Sequence, residues 1–429
     1  MGKEGRQDEG DLFPVKTLPP GNPSRPAPGG FRGLCRGSEF RHHPGVRRRL
    51  KGGGGSGDVT CAYVTNLYDG LKQQNDPIEI FEPLCDFYRE NVLGQMDNGS
   101  LPGLTVEPQV PQKLVAEARD FTDTAIISIC RFSGEGWDRY SVPYAGQEPS
   151  EIDFSDLSRR LFPNSDFYLT DGEKRMVETV CENFSRVIVV LNIGGMMDAK
   201  WYARDERIGA VLLAWQGGMM GGLAAADLLM GVSSPSGKLP DTIAGDLNDY
   251  PSTAGFHESP DHVDYTEDIY VGYRYFETLP GARDKVIYPF GFGLSYTDFR
   301  IETTSAGEID DRLRVEVCVE NTGVYAGKEV VQLYVEAPEG KLGKPARSLA
   351  AFAKTKLLQP GERQHLTLSF PVSAMASFDD LGKVTKSAWV LEQGAYRLYV
   401  GNDVRDAEPV PFVYTVGSER VVEQLSAKV

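Results

Sequence analysis

Residues Ala125–Cys130 read AIISIC and residues Arg186–Leu191 read RVIVVL, with LTDGEKRMVETVCENF (Leu169–Phe184) between them. Short apolar runs without polar alternation suit strands buried on both faces of a parallel sheet, where neither face meets water. In the intervening segment Met176, Val177, Val180 and Phe184 recur at helical spacing, and Thr170 followed by Glu173 fits a capping box at its start. Further along, Ala210–Trp215 (AVLLAW) is a third apolar run, and Gly222–Met230 is an Ala/Leu-rich helical stretch stopped by Gly231. This strand–helix–strand repetition predicts an α/β fold, an open and mostly parallel-sheet α/β sandwich over residues 52–275.

The period changes near Ile301. Leu313, Val315, Val317 and Val319 alternate with polar residues, as do Val331, Leu333 and Val335, and Asn321-Thr322-Gly323 supplies turn chemistry between them. Further β-prone runs occur at His365–Phe370, Ala395–Val400 and Phe412–Val416. Short strands at close spacing predict an all-β sandwich over 306–417, joined to the first domain by a connecting segment at 276–305. The absence of a Cys…Trp…Cys pattern favours a fibronectin type III-like over an immunoglobulin-like sandwich. Residues 418–429 read as a helical tail with little to pack against.

A chain of 429 residues has room for two or three such domains. Its net charge of −16 repels phosphate backbones, which argues against a nucleic-acid binder. No apolar run approaches the roughly 20 residues needed to cross a bilayer, and no apolar core for a secretory signal follows Met1. Six cysteines are scattered singly without a CxxC pair, so neither a zinc site nor a disulfide framework is expected. Cys130, Cys181 and Cys318 read as buried thiols, and the expected compartment is the cytoplasm. Residues 1–51 stand apart, with 11 Lys/Arg against 5 Asp/Glu and 16 Gly or Pro. They are left unassigned and expected to be disordered, rather than a basic arm for an anionic partner.

In an open parallel sheet, ligands bind beyond the carboxyl ends of the strands. Strand 125–130 is followed there by Arg131-Phe132-Ser133-Gly134-Glu135-Gly136-Trp137-Asp138-Arg139. Glycines on both sides of Glu135 let the backbone approach a ligand closely. Trp137 offers an apolar face to a sugar ring, and Arg139 can pair with Asp138. Taken alone, a glutamate in a glycine turn is more often simply solvent-exposed. The run Gly52–Gly57 (GGGGSG) matches GxGxxG only trivially, with no strand before it and no GK[ST] ending, so nucleotide binding is a weak reading. A flexible loop lining a cleft, with Gly55 and Ser56 near substrate, suits it better. His257 and His262, near Asp261 and Asp264, are too loosely spaced for a metal site.

Ile129–Arg139 resembles glycoside hydrolase family 3, the β-glucosidase and β-xylosidase family, together with Leu213–Gly231 (LAWQGGMMGGLAAADLLMG), Ser236–Pro240 (SGKLP), Asp268–Phe276 (DIYVGYRYF) and Tyr288–Tyr296 (YPFGFGLSY). Asn321-Thr322-Gly323 and Gly327–Val335 resemble that family's fibronectin type III module. The resemblance covers roughly Gly52 to Gly417. It implies a retaining β-glycosidase, which needs two carboxylates about 5–5.5 Å apart, a nucleophile and a general acid/base. Glu135 matches the acid/base of the Ser-Gly-Glu-Gly-x-Asp-Arg loop, which reverses the odds taken from the loop alone. Trp137, Asp138, Arg139, Gly55 and Ser56 are the expected substrate contacts. The implied substrate is a β-linked glucoside or oligosaccharide, with no cofactor, no metal, no nucleic acid and no membrane.

The chain departs from the family's pattern twice. The nucleophilic aspartate lies in a (β/α)8 barrel that is absent here, and some members place that barrel after the fibronectin-like domain. The implied partner is therefore a barrel-containing chain or domain. The family's sandwich also opens with a strand and a helix, and residues 12–50 supply neither, their composition resembling translation in a wrong frame. Two other classes of function stand beside the half-enzyme, in this order: a non-catalytic carbohydrate-binding or interaction module, and a nucleotide-binding α/β protein.

Overall fold

The computed structural model describes residues 63–75, 78–100, 104–131, 160–255, 259 and 262–426, together with the backbone of Arg32–Cys35. They fall into two compact units that divide at Met230/Gly231. The first is an α/β unit. Among the described residues its sheet has five parallel strands, β1 (Arg32–Cys35), β2 (Glu79–Ile80), β3 (Thr124–Arg131), β4 (Arg186–Ile193) and β5 (Ile208–Leu213), in the order β2-β1-β3-β4-β5. Gly33 pairs with Thr124, Thr124 with Arg186 and Val187 with Ile208. The apolar runs became central strands because each buries both faces. Ile126, Ile188 and Val190 cluster with Leu71, Cys85 and Ala226, while Ile127, Ile129, Val189 and Leu191, at the alternate positions, are also buried.

The helices with described bounds in this unit include α1 (Leu67–Lys72), α2 (Glu82–Asp97), α3 (Gln112–Phe121), α4 (Asp171–Asn183), α5 (Lys200–Ala203) and α6 (Gly221–Leu229). At the start of α4, Thr170 Oγ1 accepts from the Glu173 backbone N–H, and Glu173 reaches back to the Thr170 N–H. The capping box expected from sequence is thus formed, and Met176, Val177 and Cys181 are the buried face of α4. Asn66 and Asp69 make a second box at α1.

The second unit is all-β at its core. Strands β8 (Phe299–Ile309), β9 (Arg312–Asn321) and β12 (Arg363–Pro371) form one antiparallel sheet. Strands β10 (Val330–Glu336), β11 (Ser348–Lys354), β15 (Gly394–Gly401) and β16 (Glu408–Val416) form the other, in the order β11-β10-β15-β16. Leu313, Val315, Val317 and Val319 of β9 join Val331 and Leu333 of β10 and Leu398 of β15 in one buried cluster. The alternation with period two supplied one apolar face per sheet, and closing the two faces removed both from water. Two smaller sheets complete the unit: β6 (Ile243–Ala244) with β7 (Val286–Tyr288), and β13 (Ser377–Asp379), β14 (Ala388–Leu391) and β17 (Arg420–Gln424).

Four expectations are corrected. Residues 12–50 do supply a strand, Arg32–Cys35, which lies between β2 and β3 because its backbone completes their hydrogen bonding. The division of the chain lies at 230/231, not 275. Ser234 Oγ donates to the Ala326 carbonyl at 2.7 Å, Lys238 pairs with Glu329 at 3.0 Å, and Tyr273 stacks on Phe290 at 4.4 Å, so residues from Gly231 on belong with the β-unit. Its first long strand begins at Phe299, inside the segment expected to be a connector. The tail is no helix: Arg420–Gln424 pairs antiparallel with β14, Ala388 facing Gln424 and Leu391 facing Arg420. An open strand edge offers a short segment more backbone bonds than one isolated helical turn.

Candidate active site

The strand order places a topological switch between β1 and β3. The chain leaves β1 for β2 on one side, and leaves β3 for β4 on the other. A crevice outside the carboxyl ends of two such strands is where open α/β sheets bind ligands. The Glu135 motif follows the end of β3 closely along the chain, whereas Gly55 and Ser56 come later, in the stretch that leads to α1. Glu135 stands four residues after Arg131, the last residue of β3, and Gly55 and Ser56 lie between β1 and α1. Glu135, Trp137, Asp138, Arg139, Gly55 and Ser56 themselves lie outside the described residues, as does His257.

The carboxyl edge of the sheet is described, and it begins with Arg131. Although charged, Arg131 is only 4% exposed. Its guanidinium forms a bidentate pair with Glu173, both bonds 2.8 Å, which explains how a cation is tolerated at the end of an apolar strand. Beyond β4, Gly194 packs so closely that a Cβ there would lie 2.6 Å from Gln216 Nε2. Beyond β5, Trp215 has φ 52°, a left-handed backbone uncommon for a bulky residue. Its strain brings the chain round into Gln216–Met220, where Thr65 N–H donates to the Met219 carbonyl at 2.7 Å and Tyr63 OH donates to Met220 Sδ at 3.4 Å. Tyr63, Met219 and Met220 stay exposed on this edge.

Chemistry elsewhere among the described residues is quiet. Cys181 is buried, and desolvation pushes its thiol up to about 11, the opposite of a nucleophile's requirement. Cys85 is likewise buried, while Cys130 and Cys318 are half-buried. His262 meets Ser259 Oγ at 3.1 Å, and no group of three metal-ligating side chains occurs among the described residues. No described helix is long and apolar enough to cross a membrane.

Two features of the edge were missed from sequence. Arg131 ends an apolar strand with a charge, a signal that a partner such as Glu173 was waiting. The Trp215 turn had only its Gln-Gly-Gly sequel as a sign.

Comparison with known proteins agrees with this fold. Residues 37–296 match the glycosyl hydrolase family 3 C-terminal domain, and residues 329–404 match the fibronectin type III-like domain. β-Glucosidase A of Butyrivibrio fibrisolvens is 51% identical over 400 residues, covering 90% of this chain and 48% of that protein. A β-glucosidase of Ruminococcus albus is 40% identical over 378 residues, covering 87% of this chain and 37% of the relative. Among solved structures, a β-glucosidase from Paenibacillus barengoltzii superposes with a TM-score of 0.77 at 42% identity, over 92% of this chain and 42% of its own. β-Glucosidase 3B from Thermotoga neapolitana, solved in complex with α-D-glucose, gives 0.75 at 33% identity, over 94% of this chain and 53% of its own. The chain spans about half the length of these relatives or less. With a matching domain over more than half its length and the parallel sheet and β-sandwich both in place, this chain belongs to glycosyl hydrolase family 3.

Proposed function

We propose that this chain supplies the general acid/base half of a retaining β-glucosidase-type active site, with Glu135 as the acid/base. The observation that carries the reading is the place of Ser133-Gly134-Glu135-Gly136-Trp137-Asp138-Arg139, directly beyond the carboxyl end of a strand flanking the switch point. In the first step a carboxylate nucleophile attacks the anomeric carbon while Glu135 gives its proton to the departing glycosidic oxygen. In the second, Glu135 takes a proton from water as that water displaces the enzyme carboxylate. Trp137 stacks on the sugar, Arg139 pairs with Asp138 to hold the loop, and Gly55 and Ser56 contact the substrate. The nucleophile comes from a barrel-containing domain or chain, and the substrate is a β-linked glucoside or oligosaccharide. The proposal extends to a cytoplasmic location.

The test replaces the matched 400 residues of Butyrivibrio fibrisolvens β-glucosidase A by this chain, so that the rest of that enzyme completes the site. The hybrid should hydrolyse cellobiose and aryl β-glucosides. Glu135→Gln should lower kcat/KM on cellobiose by roughly 10²–10⁴-fold, and on a dinitrophenyl glucoside by far less, because a good leaving group needs little protonation. Equal losses on both substrates, measured where glycosylation limits the rate, would remove Glu135 from the acid role. Glucose binding without turnover in the hybrid would instead favour a carbohydrate-binding module.

A further inference from the structure

We propose that Met219 and Met220 form a paired site of reversible methionine oxidation, taking oxygen from hydroperoxides at Met219 first and at Met220 second, because Tyr63 holds the second sulfur. The two residues lie between β5 and α6 and are 41% and 45% exposed. Of the other described methionines, Met176, Met197 and Met375 are buried, and Met96, Met196 and Met230 are half-buried. A small oxidant therefore reaches the sulfurs of Met219 and Met220 with no opening of the fold, and reaches the others less readily.

This turn is held by its backbone rather than by the two thioethers. Thr65 donates to the Met219 carbonyl through its N–H at 2.7 Å and its Oγ1 at 3.0 Å. Gly222 N–H donates to the Thr65 carbonyl at 3.1 Å, Ala224 N–H to the Met220 carbonyl at 3.0 Å, and Gly221 N–H to the Gly218 carbonyl at 2.9 Å. Oxidation at sulfur leaves all of these bonds in place. A sulfoxide disrupts structure where a thioether is packed in a core; here it makes an exposed apolar side chain polar, and water solvates it.

One contact distinguishes the two sulfurs. Tyr63 OH donates to Met220 Sδ at 3.4 Å, whereas no hydrogen bond reaches Met219 Sδ among the described residues. In the reaction a sulfur lone pair attacks the terminal oxygen of a hydroperoxide. The S–O bond forms as the O–O bond breaks, so the sulfur is oxidised and the peroxide reduced. The proton of the transferred hydroxyl passes to the departing alkoxide, which leaves as an alcohol, or as water from hydrogen peroxide. A hydroxyl donating to the sulfur withdraws electron density from it and occupies one direction of approach. Giving up a hydrogen bond of ordinary strength slows Met220 by roughly 5-fold. The same exposure admits the reductases that return each sulfoxide epimer to methionine.

The experiment treats the full chain with hydrogen peroxide at neutral pH and follows the oxygen gained by each methionine by peptide mass spectrometry. Met219 should react at least about 10-fold faster than Met96, Met196 or Met230, whose sulfurs are less accessible. It should also outpace Met220 by about 5-fold. Tyr63→Phe should close that gap by speeding Met220 while leaving Met219 within about 2-fold of its original rate. A variant carrying both Met219→Leu and Met220→Leu should lose the fast uptake. After both oxygens are added, amide exchange in Arg186–Ile193 should stay within about 2-fold of the untreated chain. The two methionine sulfoxide reductases together should then remove both oxygens. A half-buried methionine reacting as fast as Met219 overturns the site. Equal rates at Met219 and Met220, or a Tyr63→Phe chain in which Met220 is unchanged or both speed up alike, overturns the order assigned to them. Exchange protection lost in step with oxidation, or sulfoxides that resist the reductases, overturns the reversibility.

Discussion

Replacing Gly222 by alanine should open the contact between α1 and α6 that supports the carboxyl edge of the sheet. A Cβ at Gly222 would lie 1.9 Å from the Asn66 carbonyl oxygen, and one at Gly70 would lie 2.1 Å from the carbonyl oxygen of Gly222. Both obstacles are backbone, so no side chain can swing away. The helices must separate by roughly 1.5 Å to reach an ordinary contact distance, an overpacking of the kind that costs about 1–3 kcal/mol. Separation also weakens the bonds from Gly222 N to the Thr65 carbonyl (3.1 Å) and from Thr65 N to the Met219 carbonyl (2.7 Å), each worth about 1 kcal/mol. Alanine's better helix propensity returns up to about 1 kcal/mol. The net loss is about 2–3 kcal/mol, or roughly 30- to 150-fold in the opening equilibrium. Native-state amide hydrogen exchange in Arg186–Ile193 reads it directly, because these central strand amides exchange only when the unit opens. Gly218→Ala, whose Cβ would meet nothing within 4 Å, is the control and should leave exchange within about 2-fold of the wild type. Acceleration of less than about 5-fold for Gly222→Ala would refute the reasoning, because it would mean that the helices part at almost no cost.

Two further substitutions probe the β-unit. Asn321 is fully buried; its Nδ2 donates to the carbonyls of Tyr325 (2.7 Å) and Leu358 (2.9 Å), and its Oδ1 accepts from Thr297 Oγ1 (2.7 Å) and Gly323 N (3.1 Å). Asn321→Ala should cost about 3–4 kcal/mol in chemical denaturation, and a loss under about 1 kcal/mol would show that water replaces the amide. Burial tends to raise the pKa of Asp379, but the backbone N–H groups of Val384, Lys383, Thr385 and Gly382 hold it below its ordinary value. Because the folded pKa is the lower one, this stabilisation is present above the unfolded value of about 3.9 and disappears as pH falls through the folded value. The difference in Tm between wild type and Asp379→Asn should therefore be widest near neutrality and shrink below about pH 4. A difference that stays constant down to pH 2 would contradict the assignment.

Elements specified by their own residues were legible in advance. The runs at 125–130 and 186–191 could bury both faces only inside a sheet, and Thr170 with Glu173 marked the first turn of α4 to the residue. The alternation at Leu313–Val319 likewise announced a one-faced strand. The candidate site was legible only as a motif, since Glu135 and its neighbours are recognised by type and order, whereas catalysis depends on distance. Arg131 escaped notice because a single cation at a strand end looks like a surface residue until Glu173, 42 positions later, is brought against it.

Local pattern, then, determined the α/β and β-sandwich classes, the principal strands and the place of the candidate Glu135 motif in chain order. Tertiary structure alone decided that Arg32–Cys35 is a strand, that Arg420–Gln424 pairs with β14, that the units part at Met230/Gly231, and that β1 and β3 flank the switch point. The physical reason is common to all four. Hydrophobic periodicity is carried by neighbours in sequence, so it can be read along the chain. An open strand edge, a buried ion pair or a strand order is an arrangement of partners far apart in sequence, and it exists only once the chain has closed upon itself.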